Sequence, residues 1–591
     1  MKILGLSTMG SSAAALVVDG VVVAAIEEER LSRIKNDGGF PHAAIAACLD
    51  RAGLALADVD HICVYWQPWR IGTRARATLR EAFGDRRRAA ARFRRVANLF
   101  SNAGAPASYP ELTGRWSDLF RVKSILKQAF GPFRAKLHYY DHHACHRASA
   151  YQISGFDRAL SLSYDGGGEE HSTVLAYLEG GRTEILKRVE WPNSLGHFYS
   201  YFTGYLGFRM LEGEYKMMGL APYGTPRFKD RILQEILRLE ADGEYRFNSR
   251  LANYHEALEG RFDRAVGDML CPPRPLDGTI DAAHHDLAAS VQAAFEAALL
   301  HMMQWAAARH PGVRNLCVSG GCGLNVTANG RLREAGLFDR IFVPPAPHDA
   351  GCAVGAALLG ASLLEAGDRV PRMDHPYLGS AFDDEAIAAA FGELGLTTPR
   401  RLEAAAMVDE CAQALADGQV IAWFQGGSEF GPRALGARSF LADPRSDAMR
   451  ETLNAKIKKR EPFRPFAPSV KEEVADRFFE IYQPSPYMNI VSRVKDDQKA
   501  AIPAVTHVDG TARVHTVSRA VNPLYWELID RFEALTGVGV LLNTSFNIQE
   551  PIVNTPAEAI RTFLASGVDK LAIGPFICDD AWRQRNGAEA A

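Results

Sequence analysis

A pattern of three short strands joined by turns occurs twice in this chain, and it constrains the fold more than any other feature. Near the N-terminus, KILGLS, AAALVV and VVVAAIEE are predicted to form three short strands, with the tight turn Asp19-Gly20 between the second and third. The same order returns in ALSLSY, STVLAYLE and TEILKRVEW, with a Gly-rich turn at residues 165–168 and a Glu-Gly-Gly-Arg turn between the last two strands. Two copies of this pattern predict an internally duplicated α/β domain.

This layout resembles the actin-like, sugar-kinase-like ATPase (ASKHA) fold. In that fold, the first hairpin of each copy holds phosphate from one side. A glycine-rich turn suits this task because backbone N–H groups reach the anion with no side chain in the way.

The composition favours a cytoplasmic protein with no membrane partner. The chain has 591 residues, 47% apolar and 23% charged, and a net charge of −3, so its overall balance attracts neither nucleic acid nor an anionic membrane. Its nine cysteines are scattered without a C-x-x-C pair, which suits reduced thiols. The N-terminus lacks the apolar run of a signal peptide, and the best membrane candidate, residues 351–364, is too short to span a bilayer.

Two stretches organise the rest of the chain. Residues 76–100 are rich in arginine and are predicted to form an amphipathic helix pair, whose basic face is either solvated or docks an acidic partner or nucleic acid. Residues 365–380 have turn residues and little periodicity, and we place a domain boundary there. In the domain that follows, predicted strands at 419–427 and 538–546 bracket a cationic segment, KKREPFRPF.

The stretch DHHACHRASAY indicates a metal site. His142 and His146 lie four residues apart, which on a helix places both imidazoles on one face, although a helical histidine pair without metal is the alternative. His143 complicates this interpretation because it could lie on another face. Asp349 is a candidate third ligand at a strand end, where it would equally cap the next helix. Such a set with open positions suits a divalent transition metal such as iron(II).

Two glycine turns are typical of nucleotide sites, although each alone often marks only a tight turn. DGGGEE follows one predicted strand and SGGCGLN follows another. Lys216, within EGEYKMMGLAPYG, is either a phosphate contact or a surface lysine.

The cationic segment predicts an anion site in the second domain. Pro462 and Pro465 prevent a regular helix, and Phe463 and Phe466 would anchor the loop in a core. Cations held from this segment and from GGSEFGPRALGARSF would form a polyanion pocket, which we favour over a charged surface loop. LNTSFN adds hydroxyl and amide groups that suit a phosphate or a small planar amide. The cations are Arg433, Arg438, Lys456, Lys458, Lys459, Arg460 and Arg464.

The motifs GPRALGARS, KREPFRPFAPS, LNTSFN, EGEYKMMGLAPYG and DHHACHRASAY closely resemble those of the NodU/CmcH family of O-carbamoyltransferases. The resemblance runs from near Met1 to about Phe576. It implies an α/β protein with a TsaD-like duplicated actin-like ATPase domain at residues 1–368 and a YrdC-like domain at residues 374–585. The second domain would make carbamoyl-adenylate from carbamoyl phosphate and Mg-bound ATP. The first, with iron(II) bound, would pass the carbamoyl group to a hydroxyl of a natural-product or saccharide acceptor. A homo-oligomer is left open.

Joining two polyanions needs clustered cations, so the chemistry agrees with this resemblance. The family's catalytic roles in the second domain transfer onto Arg433, Arg438, Lys458, Lys459 and Arg464, and its substrate contacts onto Arg460, Ser469, Asn543, Thr544, Ser545 and Asn547. Its nucleotide contacts in the first domain transfer onto Asp165, Gly166, Gly167, Lys216, Gly320, Gly321 and Asn325, and its metal ligands onto His142, His146 and Asp349. We add His143 as a candidate general base.

One departure from the family pattern lies in the first hairpin. Members usually carry a His-Asp pair where this chain has Gly10-Ser11. This replacement puts in question which class of acceptor binds, how its proton is removed and whether the first site is active. The N–H groups of the turn still suit a phosphate.

Two other functions compete with carbamoyl transfer to a small acceptor. The same two folds serve threonylcarbamoyl transfer to tRNA, which the arginine-rich stretch favours and the near-neutral net charge opposes. A nucleotide-gated scaffold without transfer chemistry fits the lost His-Asp pair but leaves the cationic pocket unexplained. We therefore expect a carbamoyltransferase.

Overall fold

The structure, a computed structural model, describes residues 1–73, 76, 109, 114–276, 278–364 and 372–586. The helix pair predicted over 76–100 lies outside this part of the chain except for Arg76, as do residues 365–371 at the expected boundary. The chain clusters into two compact units. Unit 1 comprises Met1–Ser32 and Asn36–Met373, and unit 2 comprises Arg33–Lys35 and Asp374–Ala591.

Unit 1 contains two five-stranded sheets of the same topology. In the first, of order β3-β2-β1-β4-β5, β1 to β3 are antiparallel and β4 and β5 run parallel to β1. In the second, of order β8-β7-β6-β11-β12, β6 to β8 are antiparallel and β11 and β12 run parallel to β6. The predicted duplication of an actin-like α/β domain is therefore confirmed. The strands are β1 Lys2–Ser7, β2 Ala13–Val18, β3 Val21–Glu27, β4 His61–Tyr65, β5 Lys136–Tyr140, β6 Arg158–Tyr164, β7 His171–Glu179, β8 Arg182–Glu190, β9 Leu237–Leu239, β10 Tyr245–Phe247, β11 Asn315–Ser319 and β12 Arg340–Phe342.

The second hairpin of each copy closes through a two-residue turn with left-handed backbone. Asp19 and Gly20 have φ of 49° and 81°, and Gly180 and Gly181 have φ of 54° and 76°. This geometry matches the right-handed twist of the strands, which is why Asp-Gly and Gly-Gly predict it.

Helices cover the two sheets of unit 1. The apolar helix α12 lies close to β1 and α4 because glycines remove the side chains between them: a Cβ on Gly5 or on Gly355 would lie 1.9 Å from a backbone oxygen of Ala353 or Cys145, respectively. This close approach brings the start of α4 near the start of α12. The helices are α1 Glu29–Ser32, α2 His42–Arg51, α3 Trp116–Phe130, α4 His142–Tyr151, α5 Leu195–Tyr205, α6 Glu214–Leu220, α7 Lys229–Glu235, α8 Tyr254–Leu258, α9 Arg264–Met269, α10 Ala282–Arg309, α11 Val326–Glu334 and α12 Gly351–Leu364.

Unit 2 is built on an eight-stranded mixed sheet of order β13-β22-β21-β14-β15-β20-β16-β19, with a separate β17–β18 pair. Successive residues of one strand face opposite cores: Phe440 packs with helices α13 and α18, and Leu441 packs with α14 and α17. The strands are β13 Arg400–Arg401, β14 Ile421–Phe424, β15 Arg438–Ala442, β16 Ala467–Lys471, β17 Val491–Arg493, β18 Thr511–Arg513, β19 His515–Val517, β20 Val540–Ser545, β21 Lys570–Ile573 and β22 Phe576–Cys578. The helices are α13 Asp384–Glu393, α14 Ala404–Ala416, α15 Ala448–Glu451, α16 Ala475–Phe478, α17 Pro523–Thr536, α18 Pro556–Ser566 and α19 Asp580–Arg585.

Unit 2 is thus a second α/β unit, as predicted. Within the described part of the chain, no helix combines the length and apolarity needed to cross a bilayer.

Candidate functional site

Two histidines and two aspartates from three segments meet in unit 1. His142 and His146 lie in the first two turns of α4, which Asp141 caps by accepting a backbone hydrogen bond. Asp165 follows β6 directly, and Asp349 lies in the turn that precedes α12. One strand end and the starts of two helices therefore converge on one point, which we call the His/Asp cluster.

The four side chains of this cluster form a compact donor set. Nε2 of His146 lies 3.0 Å from Oδ2 of Asp165 and 3.5 Å from Oδ1 of Asp349. Nε2 of His142 lies 3.7 Å and 3.9 Å from the same two oxygens. One donor atom from each residue lies within 4.8 Å of all the others. The structure brings together the three predicted ligands and adds Asp165, which the sequence had suggested for the nucleotide.

Both histidine rings are buried and carry unsatisfied nitrogens. His142 is 1% exposed and His146 is 0% exposed. Among the described residues, neither ring nitrogen of His142 nor Nδ1 of His146 has a hydrogen-bond partner. Buried polar atoms are normally satisfied, so these nitrogens favour an occupant. Two imidazoles with two carboxylates fit a divalent first-row transition metal.

The charges of the cluster depend on one another. Burial alone would raise the pKa of Asp165, but the imidazoles of His142 and His146 hold it well below its usual value. Burial would lower the pKa of His146, but Asp165 and Asp349 raise it to about 9. Without a metal, His146 is therefore protonated at neutral pH, and a metal ion must displace that proton.

Position 10 is tightly packed against this cluster. A Cβ on Gly10 would lie 2.1 Å from Oδ2 of Asp349 and 2.8 Å from its Cγ. A histidine at this position, as in the family's usual pair, would collide with Asp349 as it now lies. Gly10 is therefore part of how this chain brings Asp349 to the cluster.

His143 is bound through both ring nitrogens. Nδ1 lies 2.7 Å from Oγ of Ser163, and Nε2 lies 2.9 Å from the backbone oxygen of His171. Because a carbonyl only accepts, Nε2–H donates and Nδ1 accepts from the serine hydroxyl. Burial, together with His142 and His146, lowers the pKa of His143 to about 3. This geometry suits a residue that holds α4 on the sheet and does not support the predicted role as general base.

The two glycine turns of unit 1 meet at Asp165. The N–H of Gly321 donates to Oδ2 at 3.1 Å, and the N–H of Gly166, which precedes Gly167, donates to Oδ1 at 2.6 Å. Gly320 has φ of 92°, and a Cβ there would lie 2.0 Å from a backbone oxygen, so only glycine fits. The predicted nucleotide-site glycines thus lie together, and two of them hold the carboxylate of Asp165.

The other two predicted nucleotide contacts differ in their surroundings. Asn325 caps α11: its Oδ1 accepts from Ala328 N–H and from Gln292 at 3.0 Å each, and its Nδ2 donates back to Gln292 at 3.0 Å. This amide is engaged within the protein, which gives Asn325 a structural part. Lys216 is half-buried in α6, with Nζ 5.9 Å from the centre of the Phe208 ring, and stays a candidate phosphate contact.

Four arginines of unit 2 form a group that we call the cation cluster: Arg433, Arg460, Arg464 and Arg513. Burial lowers the pKa of Arg513 well below its usual value, and repulsion from the other three lowers it further. Burial also lowers the pKa of Arg433 to about 10. Nε of Arg433 and Nε of Arg513 have no hydrogen-bond partner among the described residues. All four arginines are half-buried, and partly desolvated guanidinium groups that repel one another favour an anion between them.

The cationic segment reaches this cluster from a π-helical turn, Thr452–Ile457. No regular helix continues through the prolines, as predicted. Nε of Arg460 donates to Oδ1 of Asn454 at 2.7 Å, and its guanidinium lies 4.6 Å from the centre of the Phe466 ring. Phe466 is buried and anchors the loop, whereas Phe463 is only half-buried.

Arg438 belongs to the core of unit 2 and not to the cation cluster. Its side chain is 0% exposed, with the guanidinium 3.5 Å from the centre of the Phe424 ring. Its terminal nitrogens donate to the backbone oxygens of Ser380, Gln425, Gly426 and Ala437. The predicted catalytic role is therefore not supported for Arg438.

Buried Glu429 shapes the loop that carries Arg433. One carboxylate oxygen of Glu429 accepts from the N–H groups of Leu435, Ala437 and Arg438 at 2.7–3.1 Å. This carboxylate therefore fixes the loop that presents Arg433 to the cation cluster.

Lys458 is a buried anchor for the turn after β20. Its Nζ lies 2.8 Å from O and 3.2 Å from Oγ of Ser545, and 2.7 Å from O and 2.6 Å from Oδ1 of Asn547. Burial, then repulsion from Arg460 and Arg464, lowers the pKa of Lys458 well below its usual value. The three predicted residues Lys458, Ser545 and Asn547 do come together, but the ammonium group is already surrounded by protein oxygens.

Three of the remaining predicted residues of unit 2, Ser469, Asn543 and Thr544, lie on its central strands, and Lys459 lies in the cationic segment. Nδ2 of Asn543 donates to Oγ of Ser469 at 3.0 Å and to O of Ala434 at 3.1 Å, and that serine hydroxyl also lies 2.9 Å from Nδ1 of His515. Oδ1 of Asn543 is buried without a hydrogen-bond partner among the described residues. Thr544 is half-buried on β20. Lys459 is exposed, with a left-handed φ of 45°.

Sequence reasoning missed Arg513, and it assigned Asp165 to the nucleotide and not to the metal. Asp165 directly follows β6, and its place at a strand end was a readable signal for a ligand, whereas Asp349 lies well beyond the end of β12. Arg513 follows the threonine-alanine pair of β18, and the short run RVH carries the only sign of it in the sequence. Arg513 lies outside the motifs that carry the family resemblance.

Comparison with known proteins places the chain among its relatives. Residues 2–358 match a family model described as "Carbamoyltransferase N-terminus", and residues 412–579 match one described as "Carbamoyltransferase C-terminus". The first model matches most of unit 1, and the second matches most of unit 2.

Individual relatives match along most of their length. An uncharacterized protein of Synechocystis sp. is 39% identical, over 97% of this chain and 96% of its own. The nodulation protein NolNO of Sinorhizobium fredii is 40% identical, over 96% of this chain and 79% of its own. Among solved structures, HypF of T. kodakarensis overlaps with a TM-score of 0.30 at 14% identity, over 61% of this chain and 48% of its own, an overlap too small to bear on the sites.

Proposed function

The chain belongs to the carbamoyltransferase family of enzymes, as its motifs predicted, and we propose that unit 2 activates a carbamoyl group which unit 1 then transfers. In unit 2, carbamoyl phosphate and ATP give carbamoyl-adenylate. In unit 1, a hydroxyl of a natural-product or saccharide acceptor takes the carbamoyl group, and AMP leaves.

The cation cluster is the observation that carries this proposal. In the first step, water attacks the phosphorus of carbamoyl phosphate, the bond from that phosphorus to the carbamoyl oxygen breaks, and phosphate leaves carbamate with both of its oxygens. A carbamate oxygen then bonds to the α-phosphorus of ATP, the bond to the β-phosphate breaks, and pyrophosphate leaves. Negative charge from both substrates gathers at one place. Arg433, Arg460 and Arg464, with Arg513, supply fixed positive charge there, and positioned charge lowers the barrier most when it needs no reorganisation.

Other residues of unit 2 position this step. Lys458 holds the turn of Ser545 and Asn547 close to Arg460 and Arg464, whose repulsion it feels. Glu429 holds the loop of Arg433. Mg²⁺ would bind with ATP, because it commonly binds to proteins through the phosphates of a nucleotide substrate.

In unit 1, His142, His146, Asp165 and Asp349 would hold a divalent ion, and we choose iron(II) because imidazole and carboxylate donors suit it. Such an ion, when bound, acts as a Lewis acid on a substrate oxygen. The acceptor oxygen bonds to the carbamoyl carbon, the bond from that carbon to the adenylate oxygen breaks, and the electron pair leaves with AMP. The nine free, buried cysteines fit a reducing cytoplasm.

Pyrophosphate release tests this proposal without an acceptor. The wild-type chain should release pyrophosphate from ATP only when carbamoyl phosphate is present. Arg513→Ala should lower kcat/KM by about a hundredfold, as loss of one fixed charge-stabilising donor does. The matched control is Arg531→Ala, at an arginine 48% exposed that pairs with Asp409. Release that ignores carbamoyl phosphate, or that Arg513→Ala leaves unchanged, would overturn the proposal.

A further inference from the structure

We propose that His142 and His146 serve two alternative sets of metal ligands, and that Cys352 completes the second set for thiophilic ions such as Zn²⁺ and Cd²⁺. The inference rests on the metal site of the proposed function, because both sets share the two histidines. The first set adds Asp165 and Asp349, and the second adds a thiolate.

The thiol of Cys352 lies where such a set requires it. Cys352 is the second residue of α12 and is 0% exposed. One donor atom from each of His142, His146 and Cys352 lies within 4.8 Å of the other two. In a tetrahedral zinc site, nitrogen and sulfur ligands are about 3.5 Å apart, given Zn–S near 2.3 Å and Zn–N near 2.0 Å. Each pair of donors therefore needs to close by no more than about 1.3 Å, which side-chain rotation supplies.

A buried cysteine alone does not indicate a metal site, and here the second observation is the state of the histidines. Both ring nitrogens of His142 are buried without a hydrogen-bond partner among the described residues. The carboxylate of Asp165 hydrogen-bonds His146 through Nε2, which leaves Nδ1 of that ring equally unsatisfied. Three ring nitrogens are thus unsatisfied. An ion held by Asp165 and Asp349 would bind one nitrogen of each ring, which leaves further nitrogen atoms for a second set of ligands.

The two sets differ in the ions they suit. Carboxylate oxygens suit harder ions, whereas a thiolate suits zinc and cadmium, and zinc outcompetes iron(II) at most mixed sites. A thiophilic ion displaces the proton of the Cys352 thiol and forms a metal–sulfur bond, and the proton passes to solvent. Both histidines then bind the same ion as the Cys352 thiolate, and they no longer bind an ion held by Asp165 and Asp349. Carbamoyl transfer in unit 1 should stop while pyrophosphate release in unit 2 continues.

Metal titration of the metal-free full-length chain tests the inference. Cd²⁺ should produce the ultraviolet charge-transfer absorption of a cadmium–thiolate bond in the wild type. Cys352→Ser should remove this absorption and weaken Cd²⁺ binding about tenfold or more. The matched control is Cys48→Ser, at an equally buried thiol that also contacts a backbone oxygen, and it should keep the absorption.

A second metal keeps the two ligand sets distinguishable. Mn²⁺ binding, followed by electron paramagnetic resonance, should be unchanged in Cys352→Ser and lost in Asp349→Asn. Asp349→Asn should nevertheless keep the cadmium–thiolate absorption. If Cd²⁺ binds the wild type without this absorption, or the absorption survives in Cys352→Ser, the inference is wrong and the His/Asp site stands. If the wild type binds neither ion, the metal site of the proposed function is wrong as well.

Discussion

Replacing Lys458 by methionine tests whether this residue of the cationic segment has a structural or a catalytic role. Methionine keeps the apolar stem of the side chain and removes the ammonium group. Nζ of Lys458 has four oxygen neighbours within 3.2 Å, from Ser545 and Asn547. An ammonium group has three hydrogens, so three of these contacts count as full hydrogen bonds.

The expected loss of stability follows from those three bonds. Hydrogen bonds to a charged group contribute about 1.5–3 kcal/mol each, which sums to about 5–9 kcal/mol. The substitution also relieves the cost of burying a charge that Arg460 and Arg464 repel, and this relief returns part of the loss. We expect a net loss of about 3–5 kcal/mol, because the buried oxygens of Ser545 and Asn547 lose their donor.

Urea unfolding followed by tryptophan fluorescence measures this loss, and Lys456→Met is the control. Lys456 is exposed in the preceding turn, so its replacement should change the unfolding free energy by less than about 0.5 kcal/mol. Carbamoyl-phosphate-dependent pyrophosphate release should fall in Lys458→Met because the turn of Ser545 and Asn547 is displaced. Unchanged stability together with abolished release would refute the structural role and would indicate that Lys458 contacts the substrate.

Three further perturbations test other parts of the account. Gly10→Ala should push the carboxylate of Asp349 out of the His/Asp cluster and weaken Mn²⁺ binding about tenfold or more, while Gly312→Ala, whose Cβ meets no atom within 4 Å, should leave it unchanged. Asp165→Asn should weaken metal binding in calorimetry about ten- to a hundredfold, and an unchanged affinity would remove Asp165 from the ligand set. Burial lowers the pKa of His515 to about 3, so the unfolded chain binds the extra proton below pH ~6.5 and stability falls as pH drops. His515→Asn should therefore reduce the dependence of unfolding free energy on pH between 6.5 and 4 by up to about 1.4 kcal/mol per pH unit, and an unchanged slope would contradict the buried neutral imidazole.

The fold was largely readable from the sequence because its signals are local. The Asp19-Gly20 turn and the alternation of short strands specify one hairpin each, and their repetition specifies the duplicated topology. The spacing of His142 and His146 on a helix likewise fixes which face they share. The division into TsaD-like and YrdC-like domains at residues 368 and 374 stays a prediction.

The composition of the sites was less readable, because burial and long-range contact decide it. Arg438 and Lys458 carry the same charge in the sequence as Arg464, yet backbone oxygens surround the first two. His143 next to His142 looks equally suited to chemistry until Ser163 is brought to one side of its ring and the backbone of His171 to the other. Distances between segments that are far apart in the chain decide each case, and periodicity does not encode them.

An oxygen-labelling experiment tests the central claim, the formation of carbamoyl-adenylate, most directly. The chain is given ATP and carbamoyl phosphate in which both oxygens on the carbamoyl carbon are ¹⁸O, and the AMP formed is examined by mass spectrometry. If carbamoyl-adenylate forms, attack of water or of an acceptor at its carbamoyl carbon leaves one carbamoyl oxygen on AMP, so we expect AMP that carries one ¹⁸O. Unlabelled AMP, with the label confined to carbon dioxide and inorganic phosphate, would contradict the account.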